Sequence, residues 1–246
     1  MPATPAWPPQ STPRLFVESP LVLGAQIRIE GGQAHYLIAV MRTKVGDPVK
    51  LFDDATGEWL GVAVSVGKRD LSFNITAQLS EREIVPDLWL CAAPLKKGRI
   101  DWLVEKACEL GVRRLVPTLT RRTVVDKLNL GRLRAHMIEA AEQCGRSALP
   151  ELAEPVKLPH LLRDWSDRTL FFADETGGAP ALEAMREHKG PAAILIGPEG
   201  GFDTEERAAI RTLPQAVGIS LGPRILRADT AAAAAVSLWM GAAGDW

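Results

Sequence analysis

"LIGPEGGF" (residues 195–202) and "LGPRILRADTAAAAAV" (residues 221–236) are two apolar runs that break into Gly and Pro and then enter helix-like segments. Each reads as a strand-to-helix turn. The wider rhythm supports that. "DLWLCAAP" (87–94), "RRLVPTL" (113–119), "TLFFAD" (169–174), "AAILIG" (192–197) and "VGISLG" (217–222) have strand character. They alternate with helical stretches at 99–110, 129–144, 179–188, 204–213 and 230–240. Alternation of this kind predicts a parallel α/β sheet. Turns at the carboxyl ends of its strands are where such sheets bind ligands. Glycines 197, 200 and 201 would permit φ > 0 and a close backbone approach, and Pro198 and Pro223 would stiffen the two loops.

The ligand is constrained by what is missing. Neither the phosphate-loop pattern GxxxxGK[ST] nor the GxGxxG fingerprint occurs, and Glu199 in the first loop would repel phosphate. A cationic or neutral polar ligand fits better. The alanine run 231–235 predicts a helix packed close behind the second loop.

Residues 14–83 read differently. "RLFVE", "QIRIE", "PVKLFD", "EWLGVAVSV" and "LSFNITAQL" are short runs with rough alternation, interrupted by one helical piece, "GQAHYLIAVMR". Five short strands predict a small β-barrel, with a boundary near Pro86. The division is a Pro-rich tail (1–13, five prolines), a barrel (14–84) and an α/β domain (85–246).

Composition bounds the function. The 246 residues, 46% hydrophobic and 24% charged, suit a globular protein with a real core. No apolar run approaches the ~18 residues of a membrane span, and a secretory leader is not expected, so the location is read as cytoplasmic. Cys91, Cys108 and Cys144 form no CxxC pair and read as buried free thiols. Four histidines (35, 136, 160 and 188) lack ligand spacing, so no metal is expected. Net charge is −1, yet residues 96–146 hold 12 Lys+Arg against 6 Asp+Glu. A local basic block is the electrostatic footprint of a nucleic-acid binder, or simply a solvated helical face.

Four motifs in order, "KKGRIDWLVEKACELGV" (96–112), "EQCGR" (142–146), "LIGPEGGF" and "LGPRILRADTAA", resemble the RsmE family of 16S ribosomal RNA uridine-N3 methyltransferases, of the SPOUT class. The resemblance spans about residues 14–243 and includes "RLFVE", "AHYLIAVMR" and "VGDPVKLFDD". Two departures are visible: Asp229 stands where the family usually has Glu, and Tyr36 follows His35 where a second His is common. The resemblance implies a parallel sheet ending in a C-terminal trefoil knot, a PUA-like RNA-binding barrel before it, and a homodimer formed through the knot. It implies S-adenosylmethionine as cofactor, held by three loops. Their residues would be Ala173, Asp174 and Glu175; Ile196, Gly197, Pro198, Glu199, Gly200 and Gly201; and Leu221, Gly222, Ile225, Leu226, Thr230 and Ala231. It also implies a substrate, 16S ribosomal RNA in the 30S subunit, methylated on a uridine at about position 1498, whose base must leave its stack to be reached.

Uridine N3 is a poor nucleophile until its proton is lost. Arg227 is the candidate for the anionic uracil; its structural alternative is pairing with Asp229 or Glu199. The proton acceptor is Glu199, Asp229, a water or an RNA group. Expected RNA contacts are Arg14, His35, Arg42 and Lys44 in the barrel, and Lys96, Lys97, Arg121, Arg122 and Arg146 in the basic block. Alternative readings are another SPOUT specificity, such as ribose 2′-O methylation, and a non-catalytic RNA-binding assembly factor.

Overall fold

A computed structural model describes residues 12–125 and 127–246; residues 1–11 of the expected tail lie outside the described residues. The chain divides into two compact units. One comprises the described residues up to Ile84 together with Glu142–Ala148; the other comprises Val85–Ala141 and Leu149–Trp246.

In the first unit the strands are β1 (Arg14–Phe16), β2 (Gln26–Glu30), β3 (Pro48–Asp53), β4 (Gly57–Val66) and β5 (Asp70–Ser80). They form one sheet in the order β1-β3-β4-β5-β2, antiparallel except for the β1–β3 pair. Three register shifts interrupt the β4–β5 ladder, and such irregularities increase local twist. Leu71, Phe73 and Ile75 alternate inward along β5, as a half-buried strand requires. After β2 the chain forms α1 (Gly31–His35), continued by a π-helical turn (Tyr36–Val40). The following Arg42 has φ 55°, a left-handed conformation uncommon without glycine.

Residues 142–148 join this unit through specific bonds. Glu142 Oε1 accepts from the Phe16 amide at 3.0 Å. Glu83 Oε1 accepts from the amides of Ser147 and Ala148 at 2.8 and 3.0 Å. The sequence division runs the second domain without a break from 85; the segment's side-chain bonding places it with the first unit instead.

The second unit contains β6 (Leu88–Ala92), α2 (Arg99–Glu109), β7 (Arg114–Leu119), α3 (Leu130–Cys144, up to Ala141), β8 (Glu151–Leu152), β9 (Val156–Lys157) and α4 (Leu158–Arg163). It continues with β10 (Thr169–Ala173), β11 (Ala179–Pro180), α5 (Ala181–Glu187), β12 (Ala192–Ile196), α6 (Thr204–Thr212), β13 (Ala216–Ser220) and α7 (Ala228–Ala243). All strand pairs are parallel, in the order β11-β13-β10-β12-β6-β7-β8, with β9 also on β7. β12 therefore inserts between β6 and β10, two strands laid down earlier, and β13 takes the far side of β10.

Both faces of this sheet are covered, which explains the near-continuous apolar strands. Phe171, Ile194 and Ile196 face a core shared with α2, α5 and α7; Leu170, Phe172 and Leu195 face one shared with α4 and α6. Ala231, Ala232 and Ala235 are buried on α7, so the alanine run is a packing surface. Cys91 and Cys108 are buried as expected, and burial pushes the Cys91 thiol up to about 12. Cys144 is exposed, contrary to expectation. It stands near the end of α3, where an apolar spacing in sequence does not fix which side faces water.

Candidate active site

The loops after β10, β12 and β13 surround one cleft of about 280 Å³, near the lower end of small-molecule sites at ~300–1,000 Å³. Each loop is fixed by local chemistry.

After β10, Asp174 is fully engaged. Its side chain is 1% exposed and meets Arg211 at 2.5 Å and Arg207 at 3.6 Å. It accepts from the Thr176 amide and hydroxyl at 3.0 and 2.8 Å. Burial alone would raise its pKa, but the Thr176 and Arg211 bonds outweigh that and hold it below the usual aspartate value. Glu175 pairs with Arg207 at 2.9 Å. These carboxylates anchor the first loop to α6.

After β12, the Gly201 amide donates to the Pro198 carbonyl at 2.8 Å, closing a turn across Glu199 and Gly200. Gly201 has φ 67°, and a Cβ there would stand 2.5 Å from Glu175 Oε1. Gly197 and Gly200 do not have positive φ, so the expected conformational need holds at Gly201 alone, although a Cβ on Gly197 would stand 3.2 Å from the Phe202 ring. Asp203 then caps α6: its carboxylate accepts from the Glu206 amide at 2.7 Å, and Glu206 accepts from the Asp203 amide at 3.1 Å. The capping box read from sequence is present. Buried Glu206 also accepts from the Arg121 amide at 2.7 Å, which ties the loop after β7 to this turn.

After β13, Gly222 (φ 104°) turns the chain into Pro223 and the first turn of α7. Asp229 lies in that first turn, where a carboxylate is favoured by the helix dipole.

Of the residues expected on the cofactor, Ala173, Asp174, Glu175, Ile196, Gly197, Pro198, Glu199, Gly201, Leu221, Gly222, Ile225, Leu226 and Ala231 line the cleft. Gly200 and Thr230 do not line it: Gly200 turns toward Arg122, and Thr230 is exposed and bonded to Asp229. Sequence reasoning missed Gly178, Phe202, Arg207 and Ser220 on the walls. A Cβ on Gly178 would lie 2.7 Å from the Gly218 backbone, so the short β11 can approach β13 only through glycine.

Arg99, also missed, sits in the first turn of α2. Its guanidinium lies 3.4 Å from Glu199 and 3.9 Å from Asp229. The two rival proton acceptors are thus joined by a third residue. Arg227, expected either on substrate or on one of those carboxylates, is exposed and in neither pair.

The expected RNA contacts divide. His35, Arg42, Lys44, Lys96 and Lys97 are exposed. Arg14 is not available: its side chain is 10% exposed, pairs with Glu58, lies 3.6 Å over the Phe52 ring and donates to the Arg146 carbonyl. Arg146 is itself 5% exposed and donates to the Ala148 carbonyl. Both are internal braces of the first unit. Arg121 pairs with Asp203 and Glu205 at 2.9 and 2.5 Å, and Arg122 donates to the Gly200 carbonyl at 2.6 Å. These two arginines brace the second loop. Among the described residues no cluster of His, Cys, Asp or Glu could hold a metal, and no helix is long and apolar enough to cross a membrane.

Residues 82–240 match the family model of an RNA methyltransferase domain, and residues 29–76 match that of an RNA methyltransferase PUA domain. A ribosomal RNA small subunit methyltransferase E of Synechocystis is 31% identical, with 91% of this chain and 76% of that protein covered. The Bacillus subtilis protein of that name is 30% identical over 85% and 87%. The chain belongs to this family of RNA methyltransferases. A methyltransferase structure from Legionella pneumophila, solved with bound S-adenosylmethionine, is 28% identical and superposes with a TM-score of 0.86 over 96% of this chain and 99% of that one. The second unit is accordingly a SPOUT-type parallel α/β domain, and the first is PUA-like.

Proposed function

We propose that this methyltransferase uses S-adenosylmethionine to methylate N3 of a uridine in 16S ribosomal RNA of the small subunit. The observation that carries the reading is the convergence of three βα loops, from β10, β12 and β13, on one cleft. Its chemistry fits that cofactor. The walls offer apolar Ile196, Leu221 and Leu226 for an adenine, glycine backbone for close polar contacts, and the Glu199 carboxylate for a cation. When bound, the cofactor supplies a methyl group already activated on a sulfonium.

The protein's own residues supply the rest. The braced loops hold the reacting partners in line, which is an entropic contribution. Arg227, with no carboxylate of its own in the pairs around the cleft, stabilises the negative charge that spreads over the uracil oxygens as the N3 proton leaves. Glu199, Asp229, a water or an RNA group would accept that proton, leaving N3 able to take the methyl group as its bond to the sulfonium sulfur breaks and the neutral thioether departs. Arg99 joins Glu199, on the cleft wall, to Asp229 in the first turn of α7. We further propose that a C-terminal knot draws the three loops together, that two copies pair through this domain, and that the substrate is the assembled or nearly assembled 30S particle, recognised by shape.

The test is direct. Titration calorimetry with S-adenosylmethionine should give saturable binding. The protein and cofactor should restore a reverse-transcriptase stop on 30S particles from a strain lacking the gene, because N3 methylation removes a Watson–Crick donor. Absence of binding, or a methyl group recovered on a ribose, overturns the reading.

A further inference from the structure

Ile225 lines the cleft and is nevertheless 93% exposed. Other residues lining the cleft, Ile196 and Ala231, are buried. A residue that serves only to enclose a deep ligand should be covered; this one leaves a whole aliphatic side chain in water at the rim. Burial of that surface on a second ligand would be favourable.

The surroundings identify the second ligand. Arg224 and Arg227 flank Ile225 in the same loop and are exposed, and neither takes part in an ion pair among the described residues. Gly222 makes the turn at φ 104° and Pro223 stiffens the loop's entry after it. Lys96 and Lys97 precede α2 and are exposed. Arg99, in the first turn of that helix, reaches Asp229, two residues beyond Arg227. The first turn of α2, which Lys96 and Lys97 precede, thus stands beside the first turn of α7. An apolar side chain flanked in its own loop by two cations that form no ion pair suits a ligand with a flat, weakly polar face and a polyanionic backbone.

We propose that Gly222–Arg227 grips the extruded pyrimidine of an RNA strand, with Ile225 as the apolar surface under the ring and Arg224 on the adjoining phosphate. The inference rests on the function proposed above and assigns Ile225 to the substrate, not to the cofactor. A base removed from its stack recovers part of that loss on a protein surface; an exposed isoleucine beside the reacting centre provides it.

The experiment measures methylation of 30S particles at several salt concentrations, and S-adenosylmethionine binding by calorimetry, for Ile225→Ala, Ile225→Leu and Arg224→Ala. Ile225→Ala should lower kcat/KM for the particle about tenfold with cofactor affinity within about twofold, and Ile225→Leu should recover most of the loss. Arg224→Ala should reduce the slope of log affinity against log salt by about one. Cofactor affinity falling in step with activity in Ile225→Ala would return the residue to the cofactor wall and overturn the proposal, as would an unchanged kcat/KM. A wild-type chain that binds no cofactor would remove the underlying function as well, and is distinguished before any variant is made.

Discussion

Arg99 Nη1 lies 3.4 Å from Glu199 Oε1, and the same guanidinium lies 3.9 Å from Asp229 Oδ2. One cation on α2 therefore links Glu199, on the cleft wall, to Asp229 in the first turn of α7, which does not line the cleft. All three side chains are partly exposed, so the pairs contribute little to folding, about 0–1 kcal/mol each. Their value lies in position. Arg99→Ala should lower kcat/KM about tenfold, an order-of-magnitude expectation for removing one positioning group, while shifting Tm by only a few degrees. Arg99→Lys should recover a fraction, because a point charge cannot span two carboxylates as a planar fork can. Steady-state kinetics beside thermal melts check this; wild-type kinetics in Arg99→Ala would refute it.

The glycines of the second loop separate into two kinds. Gly201 has φ 67° and faces Glu175. At Gly200 a new Cβ would meet Arg122 Cδ at 3.4 Å, an ordinary contact, without a positive φ. Gly201→Val should abolish S-adenosylmethionine binding in a folded protein, and Gly200→Ala should keep it within about threefold, since a non-glycine residue pays only where the backbone is left-handed or crowded. Calorimetry of the two variants decides the matter. Equal losses would show that the cofactor turn requires Gly200 as much as Gly201, against the backbone argument.

Asp174 makes a prediction about acid. Its pKa is held below the ordinary aspartate value of about 3.9, despite burial, by Thr176 and Arg211. A depressed carboxylate contributes stability that is present above the unfolded pKa and lost as pH falls through the folded one. Asp174→Asn should cost about 1–3 kcal/mol at neutral pH, the range for leaving charged hydrogen-bond partners unmatched. That deficit should begin to shrink below about pH 4, where the unfolded carboxyl takes up its proton, and should vanish only as pH falls through the lower folded value. Urea unfolding of both proteins between pH 7 and pH 3 measures the gap; a deficit independent of pH would show that charge is not its origin.

Arg227 projects from the N-terminal boundary of α7 and is exposed. Its lack of a place in the Arg99 pairs is what distinguishes it from a structural arginine. Arg227→Ala should reduce kcat about 10²–10³-fold, the usual cost of removing one donor at a developing charge, with cofactor affinity nearly unchanged. Loss of cofactor binding in parallel with kcat would assign it to the ground-state pocket.

What could be read from sequence follows a physical divide. The parallel strands were legible because burial on both faces leaves continuous apolar runs such as "AAILI", and α6 because Asp203 and Glu206 sit at capping-box spacing. The cleft was legible in outline because Gly and Pro mark the turns. Charged side chains were not legible, since a residue's identity does not say whether its charge is spent. Arg14 is taken up by Glu58 and Phe52, Arg146 by the Ala148 carbonyl and Glu83, and Arg99 reads as an ordinary first-turn arginine. Membership of 142–148 in the first unit was hidden for a related reason: it depends on pairs such as Glu142 with Phe16, far apart in the chain.

The same divide separates two sets of basic residues that look alike in sequence. Arg122 donates to the Gly200 carbonyl, and Arg121 pairs with Asp203 and Glu205 beside the cap of α6. Lys96 and Lys97 are exposed, and no ion pair involves them among the described residues. Arg122→Ala should therefore loosen the cofactor turn, weakening S-adenosylmethionine binding several-fold while leaving the salt dependence of RNA binding almost as it was. Lys96→Ala with Lys97→Ala should do the reverse. Deleting one cation that neutralises a phosphate lowers the slope of log affinity against log salt by about one unit, so the double variant should flatten it by about two. Cofactor calorimetry and RNA binding across a salt series, run on both variants, give four numbers. If Arg122→Ala flattens the slope and spares the cofactor, the bond to Gly200 is incidental and the arginine belongs to the RNA surface after all.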